Sequence, residues 1–440
     1  MKDEILSPSS EHAQTQTQVD PSSAHLTSSQ GSNLPRAWAW LRQEAASDAA
    51  KTTFGVWLAL RVYCSLIGGT LYAVLPGNFI GKAIQEVFKG AIPTCPNYFF
   101  SGSGVNGALA GMWLRWDTAW YLEIAQHGYA CYGSSAFLPL YPLLMRIAGI
   151  PFLGNDLAAA LVISSLASLV ALYLLYRLAQ ELTGSAAIAK GAVIALAVFP
   201  TSFFLMAGYT ESLFLALAIG AYLAARRGFW LSAGILAALA TLTRLQGIVL
   251  LVPLCLELFL AQRQLLTRLR TWLALLLAPA ALLCYMLFIR LSEGIAFPWE
   301  PLSSTQGVWH LAFGWPWEGI IRDMQAIFAD PSVASLFSFK LLDPLCALLF
   351  LGCTALAFRR LNLSLTAFLL VMWVISVTKL NADGYTTSIS RYMLALFPAF
   401  IVLAIETARW PKLARMGFAV ASALLLSCYL FLFLIWWWVA

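Results

Sequence analysis

Charge is what this sequence has least of. Only 11% of its 440 residues are Asp, Glu, Lys or Arg, and only four are histidines. An ordinary soluble domain carries about 25% charged and about 45–50% apolar residues, whereas 60% of this chain is apolar. That scarcity excludes a water-soluble globular domain. Basic residues fall in ones, twos and threes with no interleaved basic and aromatic surface, so the net charge of +6 does not imply nucleic acid as a partner. There is no Cys-x-x-Cys zinc pattern. The apolar runs are continuous rather than alternating, which excludes a β-barrel. What remains is an all-α polytopic membrane protein, because a helix satisfies its own backbone in lipid.

Six of the eight cysteines (Cys64, Cys255, Cys284, Cys346, Cys353 and Cys428) lie in apolar runs and are expected to pack as small hydrophobes. Cys95 and Cys131 share a long polar loop and are the disulfide candidates in an oxidising compartment.

Met1 to about Ala50 is rich in Ser, Thr, Gln and Ala and reads as a disordered cytoplasmic tail. Trp38, Trp40 and Leu41 suggest a short segment lying on the membrane surface. Residues 51–440 then form a single transmembrane domain of about eleven spans. The expected spans are Phe54–Leu75, Asp156–Leu178, Ala187–Met206, Glu211–Ala225, Phe229–Thr243, Gly247–Leu260, Trp272–Leu291, Leu341–Phe358, Leu363–Val377, Met393–Thr407 and Leu413–Val439.

With the tail inside, the inward turns hold Arg177 and Lys190, Arg226 and Arg227, Arg263, Arg268 and Arg270, Arg359 and Arg360, and Arg409, Lys412 and Arg415. The short outward turns hold few basic residues beyond Arg244, Lys379 and Arg391, so the positive-inside bias is consistent. Two long loops, 76–155 and 292–340, face outward. Their aromatic and apolar stretches predict short interfacial helices, with Pro139 and Pro142 breaking any helix there into pieces.

The polar residues that topology does not explain gather in the outward turns. Burying Asp or Arg at bilayer depth costs about 2.5–3.5 kcal/mol, so such groups have a partner or a task. The first loop offers Arg115, Asp117, Glu123 and His127 among the rings of Trp116 and Trp120. Later turns offer Tyr209 and Glu211, Arg244 and Gln246, and Lys379, Arg391 and Tyr392. Structural readings stand beside each. Asp117 is a helix cap, Glu211 a favourable charge at a helix start, and Glu123 with His127 a surface pair at i, i+4. Arg244 and Arg391 are then snorkelling side chains. His127 with Asp117 and Glu123 is also a weak candidate for a divalent metal.

The chemical reading is a base beside outward cations. Asp117 would take the proton of a sugar hydroxyl. Arg244, Arg391 and Lys379 would neutralise the phosphate of a lipid-linked sugar donor as it leaves. A single displacement with one carboxylate inverts the anomeric centre, unlike the paired carboxylates of retaining hydrolases.

The stretch from Arg115 to Tyr129, followed by Phe137-Leu138-Pro139-Leu140-Tyr141-Pro142, resembles the PIG-V-like mannosyltransferases. Further matches are Phe199-Pro200-Thr201-Ser202-Phe203-Phe204 with Tyr209-Thr210-Glu211-Ser212, then Thr243-Arg244-Leu245-Gln246-Gly247, and Ser390-Arg391-Tyr392 with Phe397-Pro398. The resemblance runs from about Phe54 to the carboxyl end and leaves out the tail. It implies a GT-C-type inverting membrane glycosyltransferase with a dolichyl- or polyprenyl-phosphate mannose donor. It also implies that Asp117 stands in the family's catalytic acidic motif.

The expected roles follow. Asp117 is the base, and Arg115 and Glu123 orient base or acceptor. Arg244, Arg391 and Lys379 bind the donor phosphate. Tyr209, Glu211, Gln246 and Tyr392 line the cleft, and Trp116 and Trp120 stack on sugar or prenyl chain. The acceptor is a glycan or glycolipid, no cofactor is certain, and a divalent metal stays open. The setting is a bacterial plasma membrane or the endoplasmic reticulum, with the site on the non-cytosolic side. Three rivals remain: a lipid or solute transporter, a non-catalytic subunit, and a related enzyme using another sugar or a protein acceptor.

Overall fold

The computed structural model describes residues 47–74, 107, 109–295, 297–300, 311–331 and 339–439. The apolar runs become helices, because intrahelical hydrogen bonds leave no backbone group facing lipid unpaired. In chain order these are α1 (Asp48–Val74), α2 (Asp117–His127), α3 (Leu140–Gly149), α4 (Asp156–Thr183), α5 (Ala186–Ala197), α6 (Glu211–Arg226), α7 (Trp230–Thr243), α8 (Leu251–Ala261) and α9 (Leu269–Glu293). After them come α10 (Glu318–Ala329), α11 (Phe339–Arg360), α12 (Leu363–Val377), α13 (Ile389–Tyr392), α14 (Phe397–Thr407) and α15 (Lys412–Leu434).

Among the described residues, five helices are long and apolar enough to cross a membrane: α1, α4, α9, α11 and α15. The segment 389–395 meets α14 at 85°, the geometry of a broken span or a re-entrant loop. The shorter apolar helices α5, α7 and α12 coincide with runs expected to span. The protein is therefore a multi-pass α-helical membrane protein. The tail expected up to about Ala50 and the Trp38–Leu41 segment lie outside the described residues, except that α1 already begins at Asp48.

Local chemistry sets the helix ends. Asn155, Ser185 and Asn362 cap α4, α5 and α12 with side-chain oxygens that accept backbone N–H groups. Gly184 ends α4 at φ +67°, a left-handed conformation that a Cβ would strain. Pro139 and Pro142 do not break a helix as expected. Pro139 is the N-cap of α3 and Pro142 lies in its first turn, where a missing N–H costs no hydrogen bond.

The helices pack through small residues. A Cβ on Gly234 of α7 would lie 2.1 Å from the Ala274 carbonyl oxygen of α9, so this crossing requires glycine. Helices α4, α5, α6 and α7 form the centre, with α14 against α5 and α12 against α8. Basic residues cluster at the ends of α6 and α11 and just after α14. Arg226 and Arg227 pair with Glu181, and Arg360 and Arg409 pair with Glu406. Glu211 and Arg226 lie at the two ends of α6, whose 16 residues span roughly 24 Å.

A two-stranded antiparallel ribbon, β1 (Ala312–Phe313) with β2 (Lys379–Leu380), ties the second long loop to the segment that leads into α13. The local pattern of the sequence gives no sign of it.

Candidate active site

Asp117 is the first residue of α2, after Trp116 at φ +47°. Such a backbone conformation in a residue with a Cβ persists only where the surroundings impose it. Arg115 imposes it. Fully buried, its guanidinium donates to the Leu434 carbonyl at 3.0 Å and to the Gly111 and Leu114 carbonyls at 3.0 and 2.8 Å. It also lies over the Trp436 ring. The Tyr209 hydroxyl donates to the Arg115 carbonyl at 3.1 Å. Thr118 donates to the Trp113 and Gly208 carbonyls. Arg115 and Tyr209 therefore hold the turn from which Asp117 projects, and neither lines the cavity described below. Burial pushes the Tyr209 phenol well above its ordinary range, which keeps it a neutral donor.

Arg244 sits in the tight turn between two short apolar helices. Helix α7 ends at Thr243, Arg244 is extended, and a 3-10 turn, Leu245–Leu250, leads into α8. A Cβ on Gly247 would lie 2.3 Å from the Thr241 backbone nitrogen, so the turn needs glycine there. Arg391 sits in α13, in the segment that meets α14 at 85°.

These turns bring the charges together. Arg391 donates to Asp117 Oδ2 at 2.6 Å and to Glu211 Oε1. Arg244 donates to the same Glu211 oxygen at 2.5 Å and to Thr210 at 3.0 Å. Both guanidiniums also face aromatic rings, Arg391 over Tyr209 and Arg244 over Tyr392. The Lys379 ammonium is hydrogen-bonded to the Tyr392 hydroxyl. Three cations against two carboxylates leave one positive charge in excess. Glu211 is 4% exposed, and its Oε2 has no hydrogen-bond partner among the described residues. Glu211 thus acts as the counterion behind the arginines rather than as a wall of the cleft.

A cavity of about 780 Å³ opens on this cluster. Asp117, Arg244, Gln246, Lys379, Arg391 and Tyr392 line it, beside apolar walls that include Phe137, Leu138, Ile248 and Leu282. The remaining expected residues lie elsewhere. Glu123 pairs with His127 at 3.0 Å along α2, the i, i+4 partner its spacing indicated, but it is buried rather than on the surface and does not line the cavity. Trp120 stacks on Phe137, and Trp116 packs edge-on against Trp436 and Trp438. No group of three His, Cys, Asp or Glu side chains suited to a metal occurs among the described residues, so the weak metal candidate His127 gains no further ligands.

Cys131 is disulfide-bonded, while Cys95 lies outside the described residues. The six other cysteines are free. Cys64, Cys346 and Cys353 are buried, Cys255 and Cys428 partly so, and Cys284 is exposed.

Sequence reasoning missed Trp438, Tyr285 and Tyr121, which also line the cavity. Trp438 lies in a run read as the end of the last span, and no local signal marked it. It passed over Arg61 as well, which donates from within α1 to the Met206 carbonyl and steadies the irregular segment before α6.

The sequence matches the family described as Mannosyltransferase (PIG-V) over residues 61–297, more than half of the chain. It is 33% identical over 154 residues to GPI alpha-1,6-mannosyltransferase 2 of Cricetulus griseus, covering 33% of this chain and 31% of that protein. It is 30% identical over 140 residues to GPI mannosyltransferase 2 of Schizosaccharomyces pombe, covering 31% of this chain and 30% of that protein. These alignments span about a third of the length of the curated relatives. Among solved structures, it is similar to ArnT from Cupriavidus metallidurans bound to undecaprenyl phosphate, with 15% identity and a TM-score of 0.46 over 83% of this chain and 62% of that one. It is also similar to the oligosaccharyltransferase AglB from Archaeoglobus fulgidus, with 13% identity and a TM-score of 0.41 over 87% of this chain and 56% of that one. With a family match of this extent over the segment that carries Asp117, Glu211 and Arg244, the chain belongs to the PIG-V mannosyltransferase family.

Proposed function

We propose that this protein is an inverting membrane mannosyltransferase. It moves mannose from a polyprenyl-phosphate donor to a hydroxyl of a glycan or glycolipid on the non-cytosolic side. The observation that carries the reading is the convergence of Asp117, Arg244, Lys379 and Arg391 on one cavity with apolar walls. Such a cavity suits a prenyl chain along its apolar wall and a phosphate at its cationic end. Mannose as the sugar follows from the names of the relatives, GPI alpha-1,6-mannosyltransferase 2 and GPI mannosyltransferase 2.

In this mechanism the acceptor hydroxyl hydrogen-bonds to Asp117, which takes its proton as the oxygen attacks the anomeric carbon. The bond from that carbon to the phosphate oxygen breaks on the opposite face. Arg391, Arg244 and Lys379 stabilise the charge that grows on the departing phosphate. Arg391 touches Asp117 already, so one guanidinium couples base and leaving group. The excess positive charge of the cluster favours a dianionic or monoanionic phosphate entering it. The charge bias supports an outward location, because these four residues come from the loop and turns that the positive-inside pattern reads as outer.

The test is incubation of membranes carrying the protein with polyprenyl-phosphate mannose and a panel of glycan and glycolipid acceptors, followed by mass analysis. A product heavier by one hexose, with an anomeric configuration opposite to the donor's by NMR, supports the reading. Movement of sugar lipid across vesicles without a new glycosidic bond would sink it in favour of transport.

A further inference from the structure

Arg391 stands on a backbone that does not hold itself. Helix α13 is a single turn of four residues, and Ser388 before it adopts φ +56°. A turn this short gains little from its own hydrogen bonds, and the left-handed conformation of a serine must be imposed from outside. The imposition is visible. Asp343 of α11, fully buried, accepts the Ile389 N–H at 2.9 Å on Oδ2 and the Ser390 N–H at 2.8 Å on Oδ1. The Thr386 hydroxyl donates to Asp323 Oδ2 and lies 3.4 Å from Asp343 Oδ2. From the other side, Thr201 donates to the Ser390 carbonyl at 3.0 Å.

Asp323 belongs to α10, in the second long loop. That helix is fixed to the same segment by Arg322, which donates to the Asp383 carbonyl at 3.1 Å, and by the pairing of β1 with β2. Thr386 and Ser388 line the cavity, whereas Asp323 and Asp343 do not. Two buried carboxylates facing one hydroxyl is a costly way to fill space, since apolar side chains of similar size would pack there without desolvating charge. What the arrangement supplies instead is a fixed direction for the residues between Thr386 and Arg391.

We infer that Asp343, Thr386 and Asp323 are positioning residues that aim Arg391 at the donor phosphate, with the second long loop serving as their support. None of the three acidic or hydroxyl groups is asked to touch the reacting atoms. The inference rests on the reading of Arg391 as a phosphate contact. It predicts a graded effect: loss of the Thr386 hydroxyl weakens donor binding more than acceptor binding, because Asp117, which Arg391 also touches, starts α2 on a turn that Arg115 holds independently.

The experiment compares Thr386→Val, which keeps the shape and removes the hydroxyl, with Thr386→Ser, which keeps the hydroxyl. KM is measured separately for polyprenyl-phosphate mannose and for the acceptor. The expected result is a rise in donor KM of about tenfold for Thr386→Val, a clearly smaller rise in acceptor KM, and recovery of most of the donor affinity in Thr386→Ser. If Thr386→Val does not accumulate, Asp343→Asn replaces it, since its single acceptor oxygen cannot serve both backbone N–H groups, and the same donor-weighted rise is expected. Unchanged donor KM, an equal rise for both substrates, or equal impairment of the Ser and Val variants overturns the inference while leaving the mannosyltransferase reading intact. A wild-type protein that transfers no sugar from any lipid phosphate overturns that reading and this inference with it.

Discussion

The Arg391 guanidinium is hydrogen-bonded to the Asp117 carboxylate at 2.6 Å, although 274 residues of chain separate them. The contact joins a first-loop helix to the bent segment near the carboxyl end. It makes the proposed base and the proposed phosphate ligand members of one charge network, with Glu211 as the shared counterion.

Glu211 therefore carries a structural prediction. Replacing it by Gln removes the partner of two buried guanidiniums and leaves them with an excess of positive charge. Breaking a buried pair in this way costs about 3–5 kcal/mol. The Glu211→Gln protein in detergent should unfold at a distinctly lower temperature than wild type, and an unchanged midpoint would show that the two arginines do not depend on it.

Gly247 predicts a steric failure. Its hypothetical Cβ falls 2.3 Å from the Thr241 nitrogen, against backbone that cannot rotate away. Gly247→Ala must open the turn that turns Arg244 toward the cavity, at a cost of about 1–3 kcal/mol. Loss of both transfer and thermal stability is expected, and retention of full activity would mean that the Arg244 turn tolerates displacement.

Arg115 predicts an effect on order rather than on chemistry. Arg115→Lys keeps the charge but loses the planar fork that reaches the Leu434, Gly111 and Leu114 carbonyls at once. Limited proteolysis should then cut more readily near the carboxyl end, and transfer should fall because Asp117 loses its support. Wild-type protease resistance in this variant would contradict the clamp.

Asp323 predicts a pH dependence. Burial, with the like charge of Asp343 adding to it, pushes the Asp323 carboxyl up from an ordinary 3.8 to about 7, while Thr386 and Lys340 pull the other way. A raised pKa means that the folded state holds a proton the unfolded chain releases. The resulting stabilisation is full below the ordinary carboxylate range and is lost as pH rises toward about 7. Wild-type protein should lose thermal stability across that window, and Asp323→Asn should be flatter. Parallel profiles for the two proteins would remove Asp323 from the titration.

Much of the fold was legible because lipid leaves the backbone one solution. Leu363–Val377 was expected with the ends it has, and Asp156 starts α4 as expected. The local geometry of the turns was less legible. A hydropathy run says that a segment is apolar, but not that it bends by 85° before Phe397 or turns extended at Arg244. The site was legible in its charges, since Asp117, Arg244, Lys379 and Arg391 stood out against a greasy background. Their partners were not, because the bond from Arg115 to Leu434 crosses 319 residues and leaves no local trace. Arg115 is expected from the sequence to orient base or acceptor, and in the structure its guanidinium reaches the Leu434, Gly111 and Leu114 carbonyls. Glu123 shared a helix with Asp117, yet points to His127, because six residues of α2 separate the two carboxylates by more than a turn and a half.

The most direct measurement compares membranes carrying wild-type protein with membranes carrying Asp117→Asn at equal protein level, each supplied with labelled polyprenyl-phosphate mannose and acceptor. The account predicts mannosylated product from wild type and a fall of about 10²–10⁴-fold in the variant, the loss expected when a general base is removed. Equal turnover by the two proteins would contradict it.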